Sequence, residues 1–397
     1  MQTILSTLAD LRRSGTPRGL TSVCSAHPVV LRAALRFGRD HSSPVLIEAT
    51  CNQVNHQGGY TGMNPAGFAA MVQRLAQDEG CPTDLIILGG DHLGPNPWRH
   101  LPAEQAMAEA EAMMAAYVAA GFRKLHLDAS MGCKGEPAAL DDATTAARAA
   151  RLASVAEAAA KAAGGPLPLY IIGTEVPPPG GADHALTSIE PTEADAARTT
   201  IAVHRSTFAA AGLQDAFARA IGLVVQPGVE FGNHNVIAYD RSKTAALSAL
   251  LDHEPQFVFE AHSTDYQGTA PLSALVEDGF PILKVGPELT FVLREALYAL
   301  DLIASDLIPG YGTRPLMQTM DAVMQADPAN WNRHYSGDAA TQRMLRHYSL
   351  SDRIRYYWPQ PDAAQAVDRL LSALTGVSVP LPLLWQHLPD RKSTRLN

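Results

Sequence analysis

Residues 85–95 read LIILGGDHLGP, and this stretch decides which fold we expect. Four apolar residues come first, two glycines follow, and Asp91 and His92 stand directly behind them. A short run that is apolar throughout is typical of a parallel strand covered on both faces, because an exposed face would bring in polar residues at every second position. The Asp-His pair therefore places two ionisable side chains where a buried strand ends.

Seven further runs of the same kind occur along the chain, each followed by a sequence of helical length. The eight runs cover residues 20–24, 45–49, 85–88, 124–127, 167–172, 222–225, 257–260 and 282–285. Helical patterns cover residues 103–120, 143–163, 194–211, 241–251 and 288–303. Eight strand–helix repeats predict an α/β protein of the closed (β/α)8 TIM-barrel type. An open doubly wound sheet is the alternative, but no GxGxxG motif follows the first run.

The strand–helix repeat stops at about residue 308. Three helical patterns follow at residues 313–325, 339–346 and 363–374, and the aromatic-basic segment RIRYYW occupies residues 353–358. We expect a TIM-barrel catalytic domain over residues 1–305, a helical appendage packed on the barrel over residues 306–390, and a polar tail over residues 391–397.

The charge balance disfavours several classes of partner. The 397 residues include 31 Lys+Arg and 40 Asp+Glu, a formal net charge of −9, which disfavours binding to nucleic acid or to an anionic membrane. The four cysteines form no CxxC pair, so neither a disulfide scaffold nor a zinc ribbon is expected. No apolar run reaches the ~18–20 residues of a membrane span, and the N-terminus lacks the apolar core of a signal peptide. We expect a cytoplasmic location.

The polar residues at the ends of the predicted strands indicate an enzyme. In a barrel, the loops that follow the strands line the mouth of the active site. Most of the eight runs end in His, Asp or Glu; the second run leads to Glu48 and Asn52, the fourth to Asp128 and the fifth to Glu175. A binding scaffold has no need for so many ionisable groups at one mouth, so we expect catalysis there.

Three histidines, His92, His234 and His262, follow the third, sixth and seventh runs. Imidazoles from separate strands can hold a divalent ion and leave positions open for substrate oxygens. We expect zinc, with manganese, cobalt or nickel as alternatives, and no nicotinamide cofactor. The competing interpretation is three hydrogen-bonded histidines near the rim. His126 alternates with leucines, and we interpret it as core-facing, with a fourth metal ligand as the alternative.

Asp91 and Glu175 are the candidate acid/base groups. A carboxylate isolated at a barrel mouth tends towards a raised pKa because burial disfavours its charged form, and this suits proton transfer near neutral pH. An ion pair with a neighbouring cation is the alternative for Glu175. Four further carboxylates, Glu48, Asp128, Glu230 and Glu260, have weaker individual cases; we expect Glu48 and Asp128 to contact substrate and some of the four to orient histidines.

Residues that could bind the substrate's anionic group follow the last two runs. Ser263, Thr264 and Gly286 lie where barrels often place a phosphate. Lys284 lies inside the eighth run, and we expect it to point into the barrel as a further substrate-binding residue. The RIRYYW segment offers alternative cations, and simple packing of its aromatic residues is the other interpretation.

Assembled in order, these strand ends resemble the tagatose-bisphosphate aldolase GatZ/KbaZ family, whose members are historically named noncatalytic subunits. The matching stretches are EATCNQVNHQGGYTGM (48–63), GGDHLGPNPW (89–98), LHLDASM (125–131), IGTEVPPPGG (172–181), QPGVEFGNHNV (226–236), FEAHSTDYQ (259–267), LKVGPELTFVLREAL (283–297) and YSLSDRIRYYW (348–358). They extend over nearly the whole chain. The resemblance implies a TIM barrel and a ketohexose-phosphate context.

The chain also resembles, more distantly, the class II fructose-bisphosphate aldolases, in which an Asp-His pair supplies an acid/base group and a zinc ligand. That pair is Asp91-His92 here, and the resemblance implies His234 and His262 as the remaining ligands. The sequence departs from the aldolases after the last two strands. Their Gly-Ser-Gly phosphate loop is Ser263-Thr264-Asp265 in this chain, and their Asn-Asp pair is Gly286-Pro287.

The leading hypothesis from this resemblance is a ketose 4-epimerase, an activity ascribed to some members of the GatZ/KbaZ family. It would interconvert tagatose and fructose forms, as the 6-phosphates, by retro-aldol cleavage and re-addition at C3–C4. A divalent ion chelating the C2 and C3 oxygens would stabilise an enediolate, and Glu175 or Asp91 would take the C4 hydroxyl proton.

The second hypothesis belongs to a different class: a noncatalytic partner that stabilises a class II D-tagatose-1,6-bisphosphate aldolase subunit. It predicts a stable complex with such a subunit, whose activity would survive loss of His92 or Glu175. A kinase is not supported, because no GxxxxGK[ST] motif occurs. The sequence leaves a homo-oligomer open.

Overall fold

The structure is a computed structural model that describes residues 3–173 and 189–388. Its strands are β1 (Leu20–Val23), β2 (Val45–Thr50), β3 (Ile86–Leu93), β4 (Lys124–Leu127), β5 (Leu169–Ile172), β6 (Ala220–Val225), β7 (Glu230–Phe231), β8 (Val236–Ile237), β9 (Val258–Ala261) and β10 (Ile282–Val285).

Eight of these strands close into a barrel in the order β1-β10-β9-β6-β5-β4-β3-β2. Every neighbouring pair in the barrel is parallel. Each of the eight runs predicted from the sequence is one of its strands, and only the bounds differ by a few residues. The predicted (β/α)8 TIM barrel is confirmed. The remaining two strands, β7 and β8, form a separate two-stranded sheet.

The helices of the described residues follow the strands and then continue to residue 387. They are α1 (Leu8–Arg13), α2 (Pro28–His41), α3 (Pro65–Glu79), α4 (Ala103–Ala119), α5 (Asp142–Ala163), α6 (Ala194–Ala210), α7 (Gln214–Phe217), α8 (Ala245–Leu250), α9 (Thr269–Glu277), α10 (Pro287–Leu307), α11 (Pro315–Ala326), α12 (Ala339–Tyr348), α13 (Pro361–Leu374) and α14 (Leu381–His387). Local chemistry sets several of these bounds: the side chain of Asp141 caps α5 by accepting from the backbone N–H of Thr144, and Gly164 ends that helix in the left-handed conformation. None of the described helices is both long and apolar enough to cross a bilayer.

The described residues form two compact units. The barrel unit comprises residues 3–173, 189–230 and 236–286 and contains all eight barrel strands. The helical unit comprises residues 231–235 and 287–388 and contains α10 to α14. Its helices confirm the predicted C-terminal helical region. The domain boundary expected at residue 305 stays a prediction.

The barrel interior changes from apolar to charged along the strands. Alternate residues of a barrel strand face inward, and the floor is made by apolar ones. Leu5 and Leu8, from the N-terminal segment, pack there against the residues Leu20, Leu46, Ile87, Ile171, Val224, Val258 and Ile282. Two positions further along β2, β9 and β10 stand Glu48, Glu260 and Lys284. The active-site candidates therefore lie above an apolar floor, towards the carboxyl ends of the strands.

The helical unit has a separate apolar core, which includes Met320, Tyr357 and Trp358. In this unit the backbone N–H of Leu350 donates to the carbonyl of Asn233 over 3.0 Å, and the hydroxyl of Ser349 donates to the Asn233 side chain over 2.6 Å. These bonds tie the short segment 231–235 to the segment that follows α12.

Candidate active site

The carboxyl end of β3 is irregular at the point where its polar residues stand. The register of β3 against β4 shifts between Gly90 and Leu93, and His92 adopts a φ of 49°. A non-glycine residue in the left-handed region is strained, and such residues concentrate at functional sites. Gly94 follows, and any Cβ at that position would lie 1.6 Å from the carbonyl oxygen of Asp128. The close approach of two strand ends therefore requires glycine here.

Four buried side chains meet at this point, from the adjacent strands β3 and β4 and from the end of β9 across the barrel. Asp91, His92, His126 and His262 each offer one potential ligand atom, and these atoms all lie within 4.8 Å of one another. The ring centroids of His92 are 4.9 Å from those of both His126 and His262. We call these four residues the donor cluster. Three imidazoles and a carboxylate at this spacing are a donor set that suits a divalent transition metal.

Hydrogen bonds orient the histidines of the donor cluster. The Nε2 atom of His126 donates to the carbonyl oxygen of Gly173 over 2.9 Å, so its Nδ1 carries no proton; Nδ1 accepts from the backbone N–H of His92 over 3.2 Å and lies 3.1 Å from Oδ1 of Asp91. The Nδ1 atom of His92 lies 2.7 Å from Oδ2 of Asp128. The Nε2 atom of His262 lies 3.1 Å from Oε1 of Glu260. Each ring thus has an oxygen partner of the kind that fixes metal-binding imidazoles.

A closed ring of four charged side chains adjoins the donor cluster. Lys124 Nζ lies 2.5 Å from Oε1 of Glu48 and 2.6 Å from Oε2 of Glu260. Lys284 Nζ lies 2.5 Å from the other oxygen of Glu48 and 3.7 Å from the other oxygen of Glu260. Three of the four residues are fully buried and Lys284 is 4% exposed. We call them the ion-pair ring.

Charged neighbours in the ion-pair ring and the donor cluster shift the pKa values of Asp91, Glu260 and Lys284. Burial raises the pKa of Asp91, but the neighbouring His92 and Lys284 lower it more, so that its pKa lies well below the usual value and the raised pKa expected from the sequence is wrong for this residue. Burial likewise opposes ionisation of Glu260, and Lys124 and Lys284 outweigh it and hold its pKa well below the ordinary range. The pKa of Lys284 is well above its usual value because its carboxylate neighbours outweigh its burial. Asp91, Glu260 and Lys284 are therefore charged at neutral pH.

The formal charge of this region leaves room for a cation. Two ammonium groups, Lys124 and Lys284, face four carboxylates, those of Glu48, Asp91, Asp128 and Glu260. The excess of two negative charges in a buried site would be balanced by a divalent ion. A second group, made by Cys24, Glu48 and Asp91, also has metal-ligand spacing. There, however, Lys284 Nζ already lies within 2.7 Å of both carboxylates.

The remaining predicted residues have different surroundings. Asn52 is exposed in the loop after β2, and Ser263 is buried with its hydroxyl 3.3 Å from Glu230. The hydroxyl of Thr264 donates to the carbonyl of Lys284 over 2.7 Å. The backbone N–H of Gly286 donates to Asp265 over 3.0 Å.

The predicted metal ligand His234 is not among the described residues of the donor cluster. His234 is an exposed residue of segment 231–235 in the helical unit. Glu175 lies outside the described residues.

The structure adds His126 and Lys124 to the residues selected from the sequence, and it places Glu260, which had only a weak individual case, beside His262. A signal for two of them was present: Lys124, His126 and Asp128 alternate along β4 and its end, and three polar residues on one face of a strand are unusual where apolar residues fill the other face. Our interpretation of His126 as core-facing describes its burial but not its place in the donor cluster.

Comparison with known proteins assigns the chain to a family. The sequence profile of the family described as "D-tagatose-1,6-bisphosphate aldolase subunit GatZ/KbaZ-like" matches residues 5–397. The chain belongs to the GatZ/KbaZ-like family. This confirms the family resemblance found in the strand-end motifs.

Two relatives of the GatZ/KbaZ-like chain are similar over most of their lengths. The protein named D-tagatose 6-phosphate 4-epimerase from Agrobacterium fabrum (strain C58 / ATCC 33970) is 62% identical over 390 residues, which are 98% of this chain and 92% of that protein. The crystal structure of a probable tagatose 6 phosphate kinase from Sinorhizobium meliloti 1021 is 57% identical, covers 95% of this chain and 92% of its own, and gives a TM-score of 0.88. The YdjI aldolase of Escherichia coli K12 is 12% identical, covers 94% of this chain and 96% of its own, and gives a TM-score of 0.44, which is too low to carry an argument.

Proposed function

We propose that this chain is a metal-dependent 4-epimerase that interconverts D-tagatose 6-phosphate and D-fructose 6-phosphate. The observation that carries the proposal is the 62% identity, over nearly the whole chain, to a protein named for 4-epimerisation of tagatose 6-phosphate. The donor cluster supports it, because epimerisation at C4 through C3–C4 cleavage needs both a cation and a proton acceptor at one place.

The metal would be held by imidazoles of the donor cluster. His92, His126 and His262 are buried, oriented by oxygen partners and close enough to share one ion. Zinc is the ion we expect, and manganese, cobalt and nickel suit the same donors. His234 stays a proposed ligand on the strength of the aldolase resemblance. When bound, a divalent ion supplies Lewis-acid stabilisation of the negative charge that develops on the C2 oxygen of the open-chain ketose.

Asp91 is the proposed acid/base residue, and its two oxygens have different surroundings. Oδ1 lies 2.7 Å from Lys284 Nζ and 3.1 Å from His126 Nδ1. Oδ2 has only longer contacts among the described residues, 3.7 Å to Nε2 of His92 and 4.0 Å to Sγ of Cys24. We therefore assign the proton transfer to Oδ2, while Oδ1 holds the carboxylate in place. Glu175 stays the second proposed acid/base group.

The reaction balances without a redox cofactor. Asp91 accepts the proton of the C4 hydroxyl, the C4 oxygen becomes an aldehyde carbonyl, and the C3–C4 electron pair passes to C3 and the C2 carbonyl. The aldehyde rotates about its bond to C5 and presents its other face. The C3–C4 bond then re-forms, and Asp91 returns the proton to the C4 oxygen, with inverted configuration at C4.

We retain the other sequence-based substrate contacts, Asn52, Asp128, Ser263, Thr264 and Gly286, as proposals. Glu48 and Lys284, the other two predicted substrate contacts, are buried and form an ion pair with each other. The cytoplasm and a homo-oligomeric state stay expectations. The family description keeps the aldolase-subunit hypothesis as the second candidate, and it requires that the chain alone leaves tagatose 6-phosphate unchanged.

The proposal predicts conversion of tagatose 6-phosphate by the purified chain alone. Incubation with zinc, manganese or cobalt and no ATP should give fructose 6-phosphate, observed by ¹³C NMR, and prior removal of the metal with a chelator should abolish the conversion. Asp91→Asn should lower kcat by about 10²–10⁴-fold, because a positioned general base contributes that much. Glu157→Gln is a matched control, since Glu157 is a buried carboxylate whose partners are Arg219 and Tyr170.

The other outcomes separate the alternatives. Release of triose products would indicate an aldolase, and a requirement for ATP would indicate a kinase. A metal-loaded chain that leaves tagatose 6-phosphate and free tagatose unchanged, yet co-purifies with a class II aldolase, would replace the epimerase proposal by the subunit hypothesis.

A further inference from the structure

The ion-pair ring needs an explanation other than stability. Glu48, Lys124 and Glu260 are fully buried and Lys284 nearly so, and moving four charges out of water carries a desolvation cost that their mutual attraction offsets only in part. Replacing a buried ion pair by apolar side chains is often neutral or stabilising. A barrel interior filled with branched apolar residues, as in the floor below, would be the simpler way to build the fold.

The ring contacts the donor cluster at two points. Lys284 Nζ lies 2.7 Å from Oδ1 of Asp91, and Oε1 of Glu260 lies 3.1 Å from Nε2 of His262. The chain also clears space for the ring: a Cβ at residue 89 would lie 2.8 Å from Cγ of Glu48, so only glycine fits there without displacing that side chain. The ion-pair ring thus holds two residues of the donor cluster, Asp91 and His262, from one side.

We propose that the ion-pair ring positions the donor cluster, with Glu260 and Lys284 as positioning residues. Glu260 accepts the Nε2 proton of His262 and so fixes the tautomer and the orientation of that ring, for which Nδ1 is then the proposed metal ligand. Lys284 holds Oδ1 of Asp91 and leaves Oδ2 for the substrate. Lys124 bridges Glu48 to Glu260 from the other side, so that neither carboxylate can rotate independently. This inference rests on the proposed function for the role of Asp91 and extends it by two residues that do not touch substrate.

The ion-pair ring also leads to an expected number of bound metal ions. Cys24, Glu48 and Asp91 have the spacing of a second metal site, but the ammonium of Lys284 already lies 2.5 Å from Glu48 and 2.7 Å from Asp91. A fixed positive charge in that position takes the place of a second cation. The chain is therefore expected to bind one divalent ion.

The test uses metal binding, which does not depend on activity. The full-length chain is stripped of metal and titrated with Co²⁺ against a chromogenic chelator, which gives the affinity, the stoichiometry and the ligand-field spectrum of the bound ion. Glu260→Gln removes the charge, and Glu260→Asp keeps it but withdraws the carboxylate, so a folded variant is available if one of them fails to fold. Each should bind Co²⁺ about 10–100-fold more weakly, with an altered spectrum, as is usual when a partner of a metal-binding histidine is lost.

Lys284→Met tests the second contact. This variant should have a lower kcat with little change in KM, because Asp91 would still be present but its Oδ1 would no longer be held by the ammonium group. Lys284→Gln is a second variant that keeps a polar side chain at this position. Glu157→Gln is the matched control for all of them and should leave Co²⁺ affinity and spectrum unchanged.

The inference is overturned if both Glu260 variants bind one Co²⁺ with the affinity and spectrum of the unmodified chain, or if the unmodified chain binds two ions. An inactive chain whose Glu260 variants nevertheless bind Co²⁺ weakly would refute the epimerase proposal and leave the role of Glu260 intact.

Discussion

At the scale of single residues, Asp91 shows how one carboxylate can serve both the protein and a substrate. One of its oxygens is held by the ammonium of Lys284, and among the described residues the other has only longer contacts. A carboxylate free to rotate would present either oxygen in several orientations. Fixing one oxygen selects the direction from which the other accepts a proton, and this is how enzymes convert binding geometry into rate.

His27 provides a pH-dependent test of local stability. Its Nδ1 accepts from the backbone N–H of Val29 at the start of α2, and burial lowers its pKa to about 4. Because this folded-state pKa lies below the ordinary value of about 6.5, the unfolded chain binds the proton more readily. The stability that His27 contributes is thus complete above about pH 6.5 and is lost as the pH falls towards 4.

The expected result is a loss of at most about 2 kcal/mol from this residue between pH 7 and pH 5. Urea unfolding followed by circular dichroism at the two pH values measures it, and His27→Asn is the control because asparagine caps a helix without titrating in this range. Equal pH dependence in the two proteins would contradict the assignment.

The sequence predicted those site residues that directly follow a buried strand. Asp91, His92 and His262 belong to this group, because a parallel barrel brings all its strand ends to one mouth. Lys124 was not selected, and Glu260 had only a weak individual case, since their partners in the ion-pair ring lie on other strands and depend on the register of the barrel. Lys124 pairs with both Glu48 and Glu260 because these residues of β4, β2 and β9 lie at the same level of the barrel. A linear sequence does not contain that information.

At the scale of elements, the eight strands were predictable because parallel barrel strands are apolar in nearly every position. The helix α8 shows where such prediction is less accurate. The pattern over residues 241–251 suggested one helix, but the structure has a 3-10 helix at Arg241–Lys243 and then α8, with Thr244 between them. The side chain of Asp240 bonds to the backbone N–H of Ser242 and so favours a tight turn over a regular helical start.

The N-terminal segment offers a test at this scale. Leu5 and Leu8 pack into the barrel floor, and each is 2% exposed. Leu8→Ala should lower the free energy of unfolding by about 2–5 kcal/mol, because it leaves a cavity that the surrounding strands cannot fill. Leu167→Ala, at a position that is 41% exposed, is the matched control and should cost much less.

Chemical denaturation of both variants measures the difference between them. If Leu8→Ala were no more destabilising than Leu167→Ala, the N-terminal segment would not be part of the barrel core.

At the scale of the whole molecule, the net charge of −9 has a local component. Four of the carboxylates lie in and around the ion-pair ring, where two lysines balance only half of them. The acidic balance that disfavours polyanionic partners therefore coexists with a buried site that favours a small cation.

The excess of negative charge around the ion-pair ring predicts that a divalent metal ion stabilises the folded chain. A free metal concentration of 100 times Kd should add about 2.7 kcal/mol, since the ion binds the folded state in preference to the unfolded one. Differential scanning calorimetry of the chain before and after chelation measures the effect. His126→Ala should reduce it, and stabilisation of equal size in that variant would place the ion outside the donor cluster.

The apolar floor and the ion-pair ring together fill the interior of the barrel below the donor cluster. A reaction that breaks a carbon–carbon bond and re-forms it between the same two fragments fails if either fragment leaves the site in between. A passage through the barrel would give the freed aldehyde a second way out and a continuous path for water. With the lower end filled by leucines, isoleucines, valines and paired charges, the described floor offers a freed fragment no way out beneath the donor cluster, and this helps to keep the two fragments together.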